Sequence, residues 1–458
     1  MATSRVQRNP TSGGPASSRT HRRRIGWVVA GSLAVGLIAG LLLPFAPFIP
    51  AQESAITGAV LCGFALGWAL LAVLSVRLTD QPQRWAAVPA LFMGLGGLLL
   101  IAFGSTVHRV LDWVWPFALL ALAIWMFVRV RRELRSRSGR WLLYPVIAFL
   151  TLASVGGAYA TVGAAADARA HPMTGQLIDV GGHRLHLNCT GSGSPTVLLQ
   201  PGLGEMSSNM GWLASAVARN TRVCVYDRAG RGWSESAETP QDGVQIAADL
   251  HTLLQRGGVP GPYVLAGHSF GGLYVLSYAD RYPGEVAGLV LIDCTNFTYT
   301  APRGTASSDA GPNNVVRRVS ALAGTSARLG LTRLYASVEG GGLPPRSRDE
   351  VRANIAGATG MSSTIEEYVQ ANASGQEAAA LRNFGDKPLV VLTAGVGNDA
   401  THQAAQDHLA TLSTDAAHRT IQDAGHEDLV ADEHGAAATT QAILDVVQAV
   451  RANTPVRQ

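Results

Sequence analysis

Charge is scarce in this sequence. Of 458 residues only 15% are Asp, Glu, Lys or Arg, and mean hydropathy is positive at +0.16. That excludes a disordered chain, which is poor in apolar residues and rich in charge, and it is unusual for a wholly soluble protein of this size. Acids are nearly missing from the first third: residues 1–165 carry fifteen arginines against Glu53, Asp80, Asp112 and Glu133. The remainder holds 21 basic and 28 acidic residues. The net charge of +4 therefore averages a basic part and an acidic part. It is no nucleic-acid footprint, which needs basic residues clustered on a folded, soluble face. No His, Cys and carboxylate set has metal-ligand spacing, and no phosphate- or dinucleotide-binding glycine loop follows a first strand. Neither a metal nor a cofactor nor a nucleic-acid partner is expected.

What the first part has is long apolar runs. Five lie at 25–45, 55–76, 85–104, 113–128 and 141–162, and none contains a charged residue. A helix rises about 1.5 Å per residue, so about 20 residues cross a bilayer core. The fourth run is short and needs extension at its ends. The first follows Arg22-Arg23-Arg24, yet its apolar core exceeds the roughly 7–15 residues of a signal peptide. Trp27, Trp85, Trp113 and Trp141 stand at run ends, where interfacial aromatics belong. Fourteen arginines flank the runs on the side of the N-terminus and only Arg109 on the other. Positive flanks stay cytoplasmic, so this pattern predicts a cytoplasmic N-terminus and, after five spans, an extracytoplasmic remainder. Residues 1–24 read as a disordered basic tail, 25–163 as a helical transmembrane bundle and 164–174 as a linker. The spans hold no Asp, Glu, Lys, Arg or His, the usual mark of transport, and so read as an anchor in membrane lipid. Gly94, Gly96 and Gly97 suit close helix packing.

From residue 175 the pattern alternates. Short apolar runs at 176–180, 184–189, 196–199, 222–226, 263–266, 288–292, 389–393 and 418–421 each end in a polar or glycine-rich turn. Helical stretches at 210–218, 244–256, 272–281, 401–412 and 439–450 separate them. This predicts an α/β fold whose mostly parallel, eight-stranded sheet is covered by helices on both faces. Ligands in such sheets bind at the carboxyl ends of the strands.

There the unusual residues accumulate. Gly267-His268-Ser269-Phe270-Gly271-Gly272 sits between a strand and a helix. A nucleophile on so sharp a turn needs small residues two positions to either side, and Gly267 and Gly271 supply them. A serine hydroxyl also needs a base. His426, in Asp423-Ala424-Gly425-His426 after the last strand, is the candidate, and His268 reads as a structural neighbour.

Together with Gln200-Pro201-Gly202-Leu203-Gly204 and the segment Tyr226–Ser234 (YDRAGRGWS), these motifs make the chain from about Met173 onward resemble the α/β-hydrolase superfamily of esterases, lipases and epoxide hydrolases. The resemblance implies a Ser269–His426 pair and an acyl-enzyme. It also implies an oxyanion hole from the N–H groups of Phe270 and Leu203, each worth about 2.7–4 kcal/mol in the transition state. Proline replaces the usual histidine at 201, which leaves the backbone donor untouched. Asp227 matches a turn that shapes the fold. Two acids satisfy the chain order: Asp399, after the strand at 389–393, and Asp293, ending the preceding strand. Residues 297–386 interrupt the alternation and match a helical cap between the two core parts, 175–296 and 387–458. In the family's strand order Cys189 and Cys224 lie on antiparallel neighbours, which favours a disulfide outside the cytoplasm. The sequence thus predicts a membrane-anchored serine hydrolase for a small or lipid-like ester. An acyltransferase on the same scaffold and a non-catalytic membrane binding protein are the alternatives.

Overall fold

The structure, a computed structural model, describes residues 16–237, 239–295 and 312–457. It divides into two compact units, residues 1–158 and 159–458.

The first unit is helical. It contains α1 (Ala16–Leu42), α2 (Glu53–Leu78), α3 (Ala87–Glu133) and most of α4 (Arg137–Ala170). Among the described residues five segments are long and apolar enough to cross a membrane: Ile25–Phe45, Glu53–Leu78, Arg84–Gly104, Val110–Glu133 and Arg137–Ala170. This is a multi-pass membrane protein. Two of the segments fall within α3 and are parted at Gly104, whose φ of 59° and ψ of −139° break the helix. A side chain is strained at such a φ, so glycine suits the joint. The fourth segment, 16 residues by its uncharged core alone, reaches 24 through its polar flanks. Helix α1 begins at Ala16, before the expected start of the first span, and residues 1–15 of the expected tail lie outside the described residues. Small residues let helices touch: a Cβ on Gly63 would meet the Gly40 backbone, and one on Gly97 would stand 2.6 Å from Gly58 O.

In the second unit, a hairpin of β1 (Gln176–Asp179) and β2 (Arg184–Thr190) turns at Gly181 and Gly182, both at positive φ. There follow β3 (Thr196–Gln200), α5 (Gly211–Val217), β4 (Val223–Tyr226), α6 (Gly243–Arg256), β5 (Tyr263–His268), α7 (Phe270–Arg281) and β6 (Val286–Ile292). Among the described residues five helices lie between β6 and the next strand: α8 (Pro312–Ala327), α9 (Leu331–Ala336), α10 (Pro345–Ile355), α11 (Ala358–Val369) and α12 (Ala371–Ala378). The chain closes with β7 (Leu389–Ala394), α13 (Ala400–Ala410), β8 (Ala416–Ile421), α14 (Asp428–Ala431) and α15 (Glu433–Ala452). The expected glycine- and serine-rich start of the insertion, up to residue 311, lies outside the described residues.

The eight strands form one sheet in the order β1-β2-β4-β3-β5-β6-β7-β8. β1 and β2, and β2 and β4, pair antiparallel; from β4 onward every pair is parallel. Cys189 lies opposite Cys224 across β2 and β4, and a disulfide joins them. The period of two in the strands divides the core between the faces. Leu265, Leu289, Leu291, Leu389 and Val391 pack on one side with α6 and α7. Val264, Val290, Ile292, Val390 and Leu392 pack on the other with α5 and α15. All ten are fully buried, each contributing roughly 1.5–3 kcal/mol of apolar burial. That rigid centre holds the carboxyl ends of β5, β6 and β7 in register.

Candidate active site

β5 ends at His268 and α7 starts at Phe270, so Ser269 alone makes the turn, at φ 53° and ψ −122°. Such a backbone costs on the order of 1–3 kcal/mol and persists only where its surroundings enforce it. Here Ser269 N–H donates to Ile292 O at 3.0 Å, and Ser269 O accepts from Gly272 N–H at 3.0 Å and Thr295 N–H at 3.2 Å. A Cβ on Gly267 would strike the Gly271 carbonyl, and one on Gly271 the Gln200 carbonyl. Both glycines are therefore sterically required. Ser269 Oγ lies 3.3 Å from Thr295 Oγ1.

Asp293 follows β6 directly, wholly buried and at φ 44°. Its N–H donates to Leu392 O at 2.7 Å, which binds this strained residue to the neighbouring strand. Its Oδ2 lies 2.5 Å from His426 Nδ1 and its Oδ1 2.8 Å from His402 Nε2. Ala394 N–H and the Asn398 amide also donate to Oδ1, at 3.1 and 3.2 Å. Burial alone would raise this carboxyl, but the hydrogen bonds from His426, His402 and Ala394 outweigh it and hold the pKa down at about 2. An ionised carboxylate here favours the His426 tautomer with its proton on Nδ1, in which Nε2 is the acceptor nitrogen. Among the described residues no hydrogen bond links Ser269 Oγ to His426; such contacts commonly tighten only when substrate arrives.

Asp399 stands elsewhere. It is exposed and caps α13, its carboxylate accepting from His402 N–H at 2.8 Å. The structure brings His426 to Asp293 and not to Asp399. Asp227 is buried and accepts from Ser207 N–H at 2.7 Å and Trp233 N–H at 3.2 Å, pinning its own turn.

The turn after β3 packs on the serine: a Cβ on Gly202 would stand 3.1 Å from Ser269 Cβ. Leu203 is half-buried there, and among the described residues its backbone N–H has no partner. Phe270 N–H belongs to the first residue of α7.

Sequence reasoning missed His402, Asn398, Thr295 and Glu205: His402 lies on the first turn of α13, Asn398 just before that helix, Thr295 just after β6 and Glu205 in the turn after β3. His268 does more than pack. Its Nδ1 lies 3.2 Å from Glu205 Oε2, its Nε2 lies 3.1 Å from His426 O, and its ring centroid is 4.6 Å from that of His426. Burial would lower its pKa, but the charges of Glu205 and Glu427 and its hydrogen bonds lift it to about 9. Donor atoms of Glu205, His268 and Glu427 lie within 4.8 Å of one another, a spacing compatible with a metal ion. Both His268 ring nitrogens are engaged, however, Nδ1 by the Glu205 carboxylate and Nε2 by the His426 carbonyl, so an imidazolium satisfies the same geometry. Cys294, beside Asp293, is buried, and its thiol is pushed up to about 12, far from a nucleophile's range. A separate cavity of about 350 Å³, lined by Gly175, Leu187, Cys189, Arg222 and Val259, opens at the antiparallel edge of the sheet, and none of the site residues lines it.

Residues 195–432 match the family model described as alpha/beta hydrolase fold. Over 139 residues the chain is 34% identical to an uncharacterized protein of Schizosaccharomyces pombe, covering 24% of this chain and 26% of that one. Over 196 residues it is 31% identical to the (lyso)-N-acylphosphatidylethanolamine lipase of Mus musculus, covering 40% of this chain and 54% of the lipase. The chain thus spans only about a quarter and about half of these two relatives. Among solved structures, a thermophilic esterase from Thermogutta terrifontis aligns with 22% identity and a TM-score of 0.46, over 60% of this chain and 99% of the esterase.

Proposed function

Because the chain belongs to the alpha/beta hydrolase fold family, we propose that it is a membrane-anchored serine hydrolase of carboxylic esters, working through Ser269, His426 and Asp293. The observation that carries this reading is the buried, ionised Asp293 bonded to His426 Nδ1 at the strand end next to the Ser269 turn. Ser269 Oγ attacks the ester carbonyl while His426 Nε2 takes its proton. Asp293 keeps the imidazole in the right tautomer and stabilises the imidazolium. The N–H groups of Leu203 and Phe270 receive the charge that develops on the carbonyl oxygen. His426 returns the proton to the leaving alcohol, and a water deprotonated by His426 then releases the acyl group. Asp399 serves α13 and not the reaction.

The substrate in this reading is a small or lipid-like, apolar ester that a membrane-bound enzyme meets in or near lipid. The mouse relative's name, (lyso)-N-acylphosphatidylethanolamine lipase, is in keeping with that class. Residues 175–296 and 387–458 form the catalytic core, 297–386 the cap, 25–163 the anchor and 164–174 the link. The arginine distribution and the Cys189–Cys224 disulfide support a catalytic domain outside the cytoplasm, with the N-terminus inside.

The test is turnover of p-nitrophenyl esters with short, medium and long acyl chains by the detergent-solubilised protein. Wild-type turnover on at least one of them, absent in Ser269→Ala, is expected. Turnover no faster than that of Ser269→Ala on every ester would overturn the assignment.

A further inference from the structure

The turn that presents Leu203 is held by side chains from two other parts of the chain. Pro201 O accepts from Arg228 Nη1 at 2.7 Å, and Gly202 O accepts from Arg228 Nη2 at 2.6 Å. Gly202 N–H donates to the Glu205 carboxylate. Gly204 N–H donates to Glu367 Oε2 at 3.1 Å. In positions 201–204, then, Leu203 N–H is the one backbone N–H without a partner among the described residues.

Glu367 belongs to α11, in the insertion between β6 and β7, 139 positions from Arg228. The two side chains form a fork: Arg228 Nε to Glu367 Oε1 at 2.8 Å and Arg228 Nη2 to Glu367 Oε2 at 3.1 Å. Both are buried, 2% and 3% exposed. Arg231 stands 3.7 Å from the same carboxylate and donates to Gly360 O at 2.9 Å and to Thr364 Oγ1 on α11. A buried ion pair is a poor source of net stability, because desolvating both charges offsets their attraction. It is a good source of geometry, since a planar guanidinium fixes its acceptors in direction as well as distance.

We infer that Arg228 and Glu367 are positioning residues for the oxyanion hole, so that seating α11 on the core and setting Leu203 N–H as a donor are one event. Arg228 holds the two carbonyls that precede Leu203, and Glu367 holds the N–H that follows it. With α11 away, Arg228 loses its counter-ion and Gly204 N–H its acceptor, and the turn is free to rotate. This inference rests on the serine hydrolase reading above.

The experiment uses the full chain in detergent, with Glu367→Gln and Arg228→Lys as variants. Each is assayed on a matched pair of substrates, an ester and its thiono counterpart in which sulfur replaces the carbonyl oxygen. Sulfur is a weak acceptor, so the oxo-to-thiono ratio of kcat/KM reads the oxyanion hole and is independent of how much enzyme is folded. One lost donor costs about 10²–10³ in kcat, so a displaced one should lower the ratio at least roughly 10-fold in either variant, chiefly through kcat. Equal losses on both substrates, leaving the ratio unchanged, would overturn the inference while leaving the hydrolase reading intact. A wild type inactive on both esters and inert to serine-directed reagents would remove that reading, and this inference with it.

Discussion

His426 Nδ1 sits 2.5 Å from Asp293 Oδ2, and Asp293 is wholly buried at the end of β6. Asp399, 27 positions before His426 in the sequence, faces the start of α13 instead. The two acids therefore predict different losses. Asp293→Asn removes the charge that fixes the imidazole and should lower kcat by on the order of 10⁴-fold. Asp399→Ala removes a helix cap, which costs about 1 kcal/mol of stability and leaves kcat within a few-fold of wild type. Steady-state kinetics on one ester, with a thermal melt of each variant, checks both. Equal kcat losses would return the acid to question.

Acid stability follows from the same carboxylate. Asp293 has a folded pKa of about 2, below its unfolded value of about 3.9. Its contribution is therefore full above pH 4 and is lost as pH falls through 2. Asp293→Asn should flatten the pH dependence of Tm in that window.

At the alkaline side the relevant group is His268, raised to about 9 by Glu205 and Glu427 against the pull of burial. Its folded pKa lies above the unfolded value of about 6.5. The stabilisation is thus complete below 6.5 and lost as pH rises through 9. Melting curves at pH 6, 8 and 10 should show a falling Tm in wild type and a smaller fall in His268→Gln.

Cys189 and Cys224 are 35 positions apart, so their bond restricts a sizeable loop of the unfolded chain. By the loop-entropy relation this is worth about 3–4 kcal/mol. Reduction under non-denaturing conditions should lower Tm of the hydrolase unit. Cys294, wholly buried with its thiol raised to about 12, should stay unmodified by iodoacetamide in the native protein and react once it is unfolded. A thermal melt reads the first, and mass spectrometry of the tryptic peptides reads the second.

Orientation is open to direct labelling. Arg382→Cys lies on an exposed stretch of the second unit and Arg132→Cys on an exposed stretch near the end of α3. A membrane-impermeant maleimide added to intact cells should reach the first and not the second. The reverse pattern would invert the proposed topology.

The sequence makes some of this legible because the physics is local. A span announces itself by some twenty uncharged residues. The Ser269 turn does so by two glycines around a serine between strand and helix. The proposed triad acid is different: Asp293 and Asp399 both follow strands, and only folding, which buries Asp293 against His426 and leaves Asp399 exposed at the start of α13, distinguishes them. Glu367 leaves no trace in the sequence near the turn it holds, since only folding brings it to Arg228. Hydropathy ends the third run at residue 104, but one glycine among several carries no mark of its φ, so the sequence does not show that Gly104 makes the break.

Every step of the proposed reaction depends on Ser269 being an activated nucleophile. Treating the solubilised full chain with a fluorophosphonate and mapping the adduct by mass spectrometry tests it most directly. One adduct is expected, on Ser269, absent in Ser269→Ala and much slower to form in Asp293→Asn. An unlabelled wild type, or a Ser269→Ala protein labelled to the same extent, would contradict it.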